Sequence, residues 1–195
     1  MCKSTNLVEY LNLGETPLAN SFLTKDSLQK KEDKYPLVVL FCNNCYLSQL
    51  SVIVSPNVLF KNYVYFSSSM PVLPQHFKNY AEEVVEKFIE SKDERVIEIG
   101  SNDGLLLGAI KDLGFQVLGV DPAINIANIA NERGIETIAD FFSDKLSQVI
   151  LDIYGPAKVI IGNNVVAHID DHHDLVKAVY KLLTKDGVFI FEAPY

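Results

Sequence analysis

Glu98, Gly100, Asn102 and Gly104 fall within "EIGSNDG", where an apolar run ends in an acid and two glycines before a helical period begins. Backbone without side chains lets a ligand approach closely, and the N-terminus of the next helix points its N–H groups at that ligand. A dinucleotide fold would place G-x-G-x-x-G here for a pyrophosphate. This chain has Asn102 at the middle glycine and Glu98 before the turn, which suits a cationic or hydroxylated ligand better. S-adenosylmethionine, with an ammonium and a sulfonium group, meets that description.

Other acids and amides stand at comparable places. Asp121 and Pro122 close "VLGVDP"; an acid there can accept from both hydroxyls of a ribose. "ADFF" supplies Asp140 for an adenine amino group and Phe141 or Phe142 to cover its ring. "GNNVVAH" supplies Asn163, Asn164 and His168. Each has a plainer reading: glycines for tight helix–strand packing, Asp121 as a helix-start residue, the phenylalanines as core. A nucleoside-type cofactor is the reading that uses all of them. Cys42 and Cys45 form a CxxC, with Cys2 the third cysteine of the chain. That pattern suits a metal site or free thiols in a reduced compartment rather than a disulfide framework.

These groups need elements to hold them. "RVIEIG", "FQVLGVD", "IETIA", "AKVIIGNN" and "GVFIFEAPY" read as strands. Between them "GLLLGAIKDLG", "AINIANIANERG", "SDKLSQVILDIYG" and "DHHDLVKAVYKLLTKDG" read as helices. Near-continuous apolar strands alternating with helices predict an α/β fold, a Rossmann-like parallel sheet of about five strands covered on both faces. Ligands of such sheets sit beyond the carboxyl ends of the strands. Phe77, Tyr80, Ala81, Val84, Val85 and Phe88 mark an amphipathic helix before the first strand. Residues 1–70 read differently: "PLVVLF" and "LSQLSVIV" flank "CNNC" as two strands joined at a cysteine knuckle. The expected division is a small cysteine-bearing, β-rich domain over 1–70 and a cofactor-binding domain over 71–195.

The chain of 195 residues is 48% hydrophobic and carries a net charge of −8, so it can bury a core but presents an acidic surface. That argues against a nucleic-acid partner, whose affinity comes mainly from Lys and Arg. No apolar run approaches the roughly 18 to 20 residues of a membrane span, and the N-terminus lacks the apolar region of a signal peptide. The expected location is the cytoplasm. The sequence stops directly after the fifth strand, where a doubly wound sheet usually continues, so a further segment is expected.

"EIGSNDGLLL", "VLGVDPAINIANIANERGIETIADFF", "VIIGNNVVAHIDD" and "GVFIFEAPY", with "LNLGETPLANSF", "CNNCYLSQL" and "NYVYFSSSMPVLPQHF", closely resemble the S-adenosylmethionine-dependent C-methyltransferases of keto-deoxysugar nucleotides. The resemblance covers nearly the whole chain. It implies a zinc-binding domain, a class I methyltransferase domain and a C-terminal domain that helps bind the nucleotide sugar. It implies structural zinc on Cys2, Cys42 and Cys45; the family's other pair has a second cysteine, expected before Met1. It implies S-adenosylmethionine on Glu98, Gly100, Asn102, Gly104, Asp121, Pro122, Asp140, Phe141, Asn163 and Asn164. The family carries a Tyr and often a His in the segment matching "YVYF"; here Tyr63 is kept and Phe66 takes the His place.

The chemistry implied is removal of a proton beside a ketone, then attack of the enolate carbon on a methyl group. Tyr63, His76 and His168 are the candidates here for acid, base or oxyanion contact. Tyr63 also reads as a packed aromatic, and His76 as a helix-start residue. Three rivals stay open: an O- or N-methyltransferase, a nicotinamide-dependent oxidoreductase and a non-catalytic fragment.

Overall fold

The computed structural model describes residues 2–61 and 63–193. In chain order the elements are strands β1 (Leu7–Thr16), β2 (Tyr35–Cys42) and β3 (Ser48–Leu50), and helices α1 (Pro56–Phe60) and α2 (Leu73–Phe88). Then β4 (Arg95–Ile99), α3 (Leu105–Asp112), β5 (Gln116–Val120), α4 (Ile124–Glu132), β6 (Thr137–Ile138), α5 (Asp144–Tyr154), β7 (Ala157–Asn163), α6 (His172–Leu182) and β8 (Leu183–Glu192) alternate. Two compact units result, residues 1–59 and 60–195.

The first unit is an antiparallel sheet in the order β1-β2-β3. Leu7 pairs with Cys42, and Phe41 with Ser48, so the CxxC turn sits where all three strands converge. Only three residues of "LSQLSVIV" form strand, whereas "LVEYLNLGET", not among the expected strands, forms the long β1. Among the described residues of this unit only Cys42 is buried. A unit this small and this open lacks the core that normally fixes a fold, the situation in which metals act as staples.

The second unit is a five-stranded parallel sheet in the order β6-β5-β4-β7-β8. Its strands alternate between two cores. Ile97, Ile99, Leu118 and Ile160 pack against Leu146 and Ile150 of α5 and Leu175 and Leu182 of α6. Val96, Val159 and Ile161 pack against Ala81 and Val84 of α2 and Leu106, Leu107 and Ile110 of α3. Each fully buried Leu or Ile contributes roughly 1.5 to 3 kcal/mol. Because strand side chains alternate, Glu98 lies on the same face as Val96, toward α2 and α3. Helix α6 stops at Leu182, so "TKDG", expected as its last turn, opens β8 instead. No helix among the described residues is long and apolar enough to cross a membrane.

Candidate functional site

Strand order reverses at β4, which has β5 on one side and β7 on the other. In open parallel sheets, ligands sit at the carboxyl edge beside such a reversal. Gly100 takes a left-handed turn (φ 67°) against the β7 loop, and a Cβ there would lie 2.2 Å from Val165 Cγ1. The close approach, and not conformation alone, requires glycine. Asn102 is also left-handed (φ 49°), and Gly104 caps α3 in the same region.

The turn encloses three buried carboxylates. Glu98 is 5% exposed, Asp103 1% and Asp121 6%. Asp121 accepts the Asn102 N–H at Oδ2 and the Ala123 N–H at Oδ1, both at 2.9 Å. Burial raises its pKa, and those two N–H groups pull it back down. Asp103 accepts from Arg133 at 2.8 Å, while its Oδ1 is buried without a partner. Glu98 Oε2 is likewise buried and unpartnered. Burial, then the charges of Asp121 and Asp103, push the Glu98 carboxyl well above the usual range. A buried, under-partnered acidic cluster at a switch point is short of positive charge, which an ammonium or sulfonium ligand supplies. The residues present therefore fit S-adenosylmethionine.

At the end of β7, Asn163 accepts from the Tyr80 hydroxyl of α2 at 3.4 Å and buries an unpartnered Nδ2. Asn164 is left-handed and donates from Nδ2 to Glu192 at 3.0 Å. Asp140 is exposed beyond β6, with Phe141 half-buried beside it, while Phe142 belongs to the core. Pro122 is half-buried behind Asp121.

Tyr63 rests edge-on against Phe60, with ring centroids 6.1 Å apart, and Phe60 lies 6.1 Å from the exposed His168. One phenylalanine thus connects two of the three candidate reacting side chains. His76 is exposed on α2, its ring 6.3 Å from Tyr80.

Four residues with roles here escape a reading of the sequence. Tyr80 is counted there only as part of an apolar stripe. Asp103 lies inside "SNDG" and could have been flagged as a second acid. Asn125 and Arg133 give no local signal, because Asn125 bonds to Tyr63, 62 residues earlier, and Arg133 to Asp103 and Ser68, 30 and 65 residues earlier.

In the first unit, Cys2, Cys42 and Cys45 place their Sγ atoms within 4.8 Å of one another, and Cys2 and Cys42 are 3.6 Å apart. A tetrahedral zinc with Zn–S bonds near 2.3 Å needs sulfurs about 3.8 Å apart, so the cluster fits. Asn6 brings Cys2 there: its carbonyl accepts the Asn43 N–H at 3.0 Å, and its side chain bonds to Asn43 and Asn44. The N–H groups of Cys45 and then Asn44 draw the Cys42 thiol down to about 7, which favours the thiolate that metals bind.

Comparison with known proteins agrees with both units. A family profile described as "Putative zinc binding domain" matches residues 1–60, and one described as "Methyltransferase domain" matches residues 74–195. C-methyltransferase NovU of Streptomyces niveus is 35% identical over the whole chain, which spans 46% of that protein. A ubiquinone biosynthesis O-methyltransferase of Caulobacter is 28% identical over 49% of this chain and 39% of its own. The chain thus spans about half or less of the length of these curated relatives. A SAM-dependent methyltransferase from Archaeoglobus fulgidus, 18% identical, shares the fold with a TM-score of 0.52 over 62% of this chain and 53% of that one. The chain belongs to the methyltransferase domain family, with a class I, S-adenosylmethionine-dependent sheet behind a cysteine-bearing module of the zinc-binding kind.

Proposed function

We propose that the full-length protein is a C-methyltransferase that methylates the carbon beside the ketone of a nucleotide-linked keto-deoxysugar in the cytoplasm. The observation that carries the cofactor half is the buried, unpartnered Glu98 Oε2 among Asp103 and Asp121. Support for carbon as the acceptor is the pairing of a cysteine module with this sheet, together with the likeness to a protein named as a C-methyltransferase.

S-adenosylmethionine supplies an electrophilic methyl group. Glu98, with the bare backbone at Gly100, holds its cationic end. Asp121 takes the ribose, and Asp140 with Phe141 takes the adenine. Asn163 and Asn164 line the cofactor site, and Asn164 with His168 borders the cleft where the acceptor carbon stands. A side-chain base would remove the proton beside the ketone, and the bound cofactor would supply the methyl group that the resulting enolate carbon takes up. Tyr63 and His168, joined through Phe60, are this chain's candidates for that role, with His76 the third. Cys2, Cys42 and Cys45 hold a structural zinc.

The test incubates full-length protein with a nucleotide-linked 4-keto-deoxysugar and methyl-labelled cofactor. Label is expected on the ring carbon next to the ketone. No label, with S-adenosylhomocysteine still bound, overturns the substrate. Label on a hydroxyl oxygen favours the second reading, an O-methyltransferase, for which the likeness to the Caulobacter protein speaks.

A further inference from the structure

Residues 63–69, "YVYFSSS", run across the mouth of the cofactor turn with little apolar anchoring. Val64 is 55% exposed and Tyr65 41%. What fixes this strap is a set of side chains bonded to its backbone. Asn125, in the first turn of α4, accepts the Tyr63 N–H at 3.3 Å and donates to the Tyr63 carbonyl at 2.9 Å. Asn102 accepts the Ser67 N–H at 2.8 Å and donates to the Tyr65 carbonyl at 3.0 Å. A carboxamide has one acceptor and one donor side, so it can replace a neighbouring strand's backbone for one residue. Asp103 adds a bond from the Ser68 N–H at 3.3 Å.

Asn102 also faces the ligand side. Its own N–H is bonded to Asp121 Oδ2 at 2.9 Å, so one left-handed residue joins the ribose acid to the strap. Tyr63 lies at the other end of the strap and packs on Phe60, which in turn packs on His168.

We propose that Asn102 and Asn125 are positioning residues: by holding the strap backbone at two points, they seat Tyr63 over the cleft in a register set by the cofactor turn. The inference rests on the methyltransferase reading for its catalytic consequence, though the seating itself can be measured apart from it. Alignment of a reacting group to within an ångström is where such a device acts on rate.

Residues 1–195 contain no tryptophan, so Tyr63→Trp adds the one indole within them, and its emission is read against the parent protein as blank. In that background Asn125→Ala removes two bonds, and acrylamide quenching of the indole should rise about twofold or more. Asn125→Asp, which keeps the acceptor, should restore part of the protection. Asn128→Ala, one turn further along α4 and exposed, should change nothing. Circular dichroism and a cooperative melting transition check the fold of each variant. Equal quenching in Asn125→Ala and Asn128→Ala overturns the proposal. If Asn125→Ala does not fold, unchanged quenching in Asn125→Asp overturns it instead. A chain that binds no S-adenosylhomocysteine, yet shows the quenching difference, overturns the cofactor reading and leaves the clamp standing.

Discussion

The Tyr80 hydroxyl donates to Asn163 Oδ1 across 3.4 Å, joining the core-facing side of α2 to the end of β7. Burial, then the charges of Glu98 and Glu192, push the Tyr80 phenol up to about 12, so it stays a neutral donor at any working pH. That bond fixes which way the Asn163 carboxamide points, and so where its unpartnered Nδ2 is aimed. Tyr80→Phe should therefore weaken S-adenosylhomocysteine binding by about tenfold, the equivalent of one oriented hydrogen bond. Calorimetric titration checks this. Unchanged affinity would mean that Asn163 does not face the ligand.

Glu98 sets stability against binding. Its carboxyl holds a proton well above the usual range in the ligand-free chain. The folded state then favours the protonated form, and that contribution is full below the unfolded pKa near 4.5. It is lost as pH rises toward the folded value. Glu98→Gln, which needs no ionisation, should therefore melt higher than the parent at pH 7 to 8 and lose the advantage below about pH 4.5. In a domain of this size, each kcal/mol of relief raises Tm by about 2 to 4 °C. The same variant should bind S-adenosylmethionine at least about tenfold more weakly, because the cationic end loses its counter-charge. A cationic ligand needs the ionised carboxylate, so parent affinity should rise with pH across the folded titration. Melting curves and titrations at matched pH values measure both halves, and a variant that binds as tightly as the parent refutes the role given to Glu98.

Much of this geometry is legible in the residues, and the reasons differ from place to place. "VIEI", "VLGV" and "AKVIIGN" announce themselves because strands buried on both faces are apolar throughout. The acid and glycines of "EIGSNDG" do so because a switch-point turn restricts side chains severely. Strand β1 is invisible because it is exposed along most of its length and so lacks an alternating pattern. The opening of β8 misleads, since "TKDG" is held as strand by a tertiary ion pair, Lys158 with Asp186 at 2.6 Å. The strap escapes for a similar reason: asparagine side chains grip its backbone, and a backbone partner leaves no mark on the residue types of "YVYFSSS".

The first unit should depend on metal. With Cys42 as the one buried residue among those described there, apolar burial cannot offset the entropy of ordering nearly sixty residues. One zinc per chain is expected by elemental analysis, with water or another donor completing the three thiolates. Chelation, or Cys42→Ser, should expose residues 1–59 to limited proteolysis while a fragment of the second unit persists. Equal resistance with and without metal would assign the three thiols no structural role.

Arg133 tests how the acidic cluster is held. Its side chain is 48% exposed, while the Asp103 side chain it pairs with is fully buried. It also reaches the Ser68 hydroxyl at 3.3 Å, so it braces the turn and the strap together. Removing it leaves Asp103 with one unpartnered oxygen already and its counter-charge gone. Breaking a buried pair costs about 3 to 5 kcal/mol, but water can reach the place the exposed side chain vacates. We therefore expect Arg133→Gln to destabilise the chain by about 1 to 2 kcal/mol, read as a shift in the urea midpoint. Arg133→Lys, a point charge without the planar fork, should recover part of the stability but not the bond to Ser68. A bound cation beside Glu98 adds positive charge to the same cluster, so S-adenosylmethionine should stabilise Arg133→Gln more than the parent chain. The same ligand-induced rise in melting temperature for both would separate the two sites electrostatically.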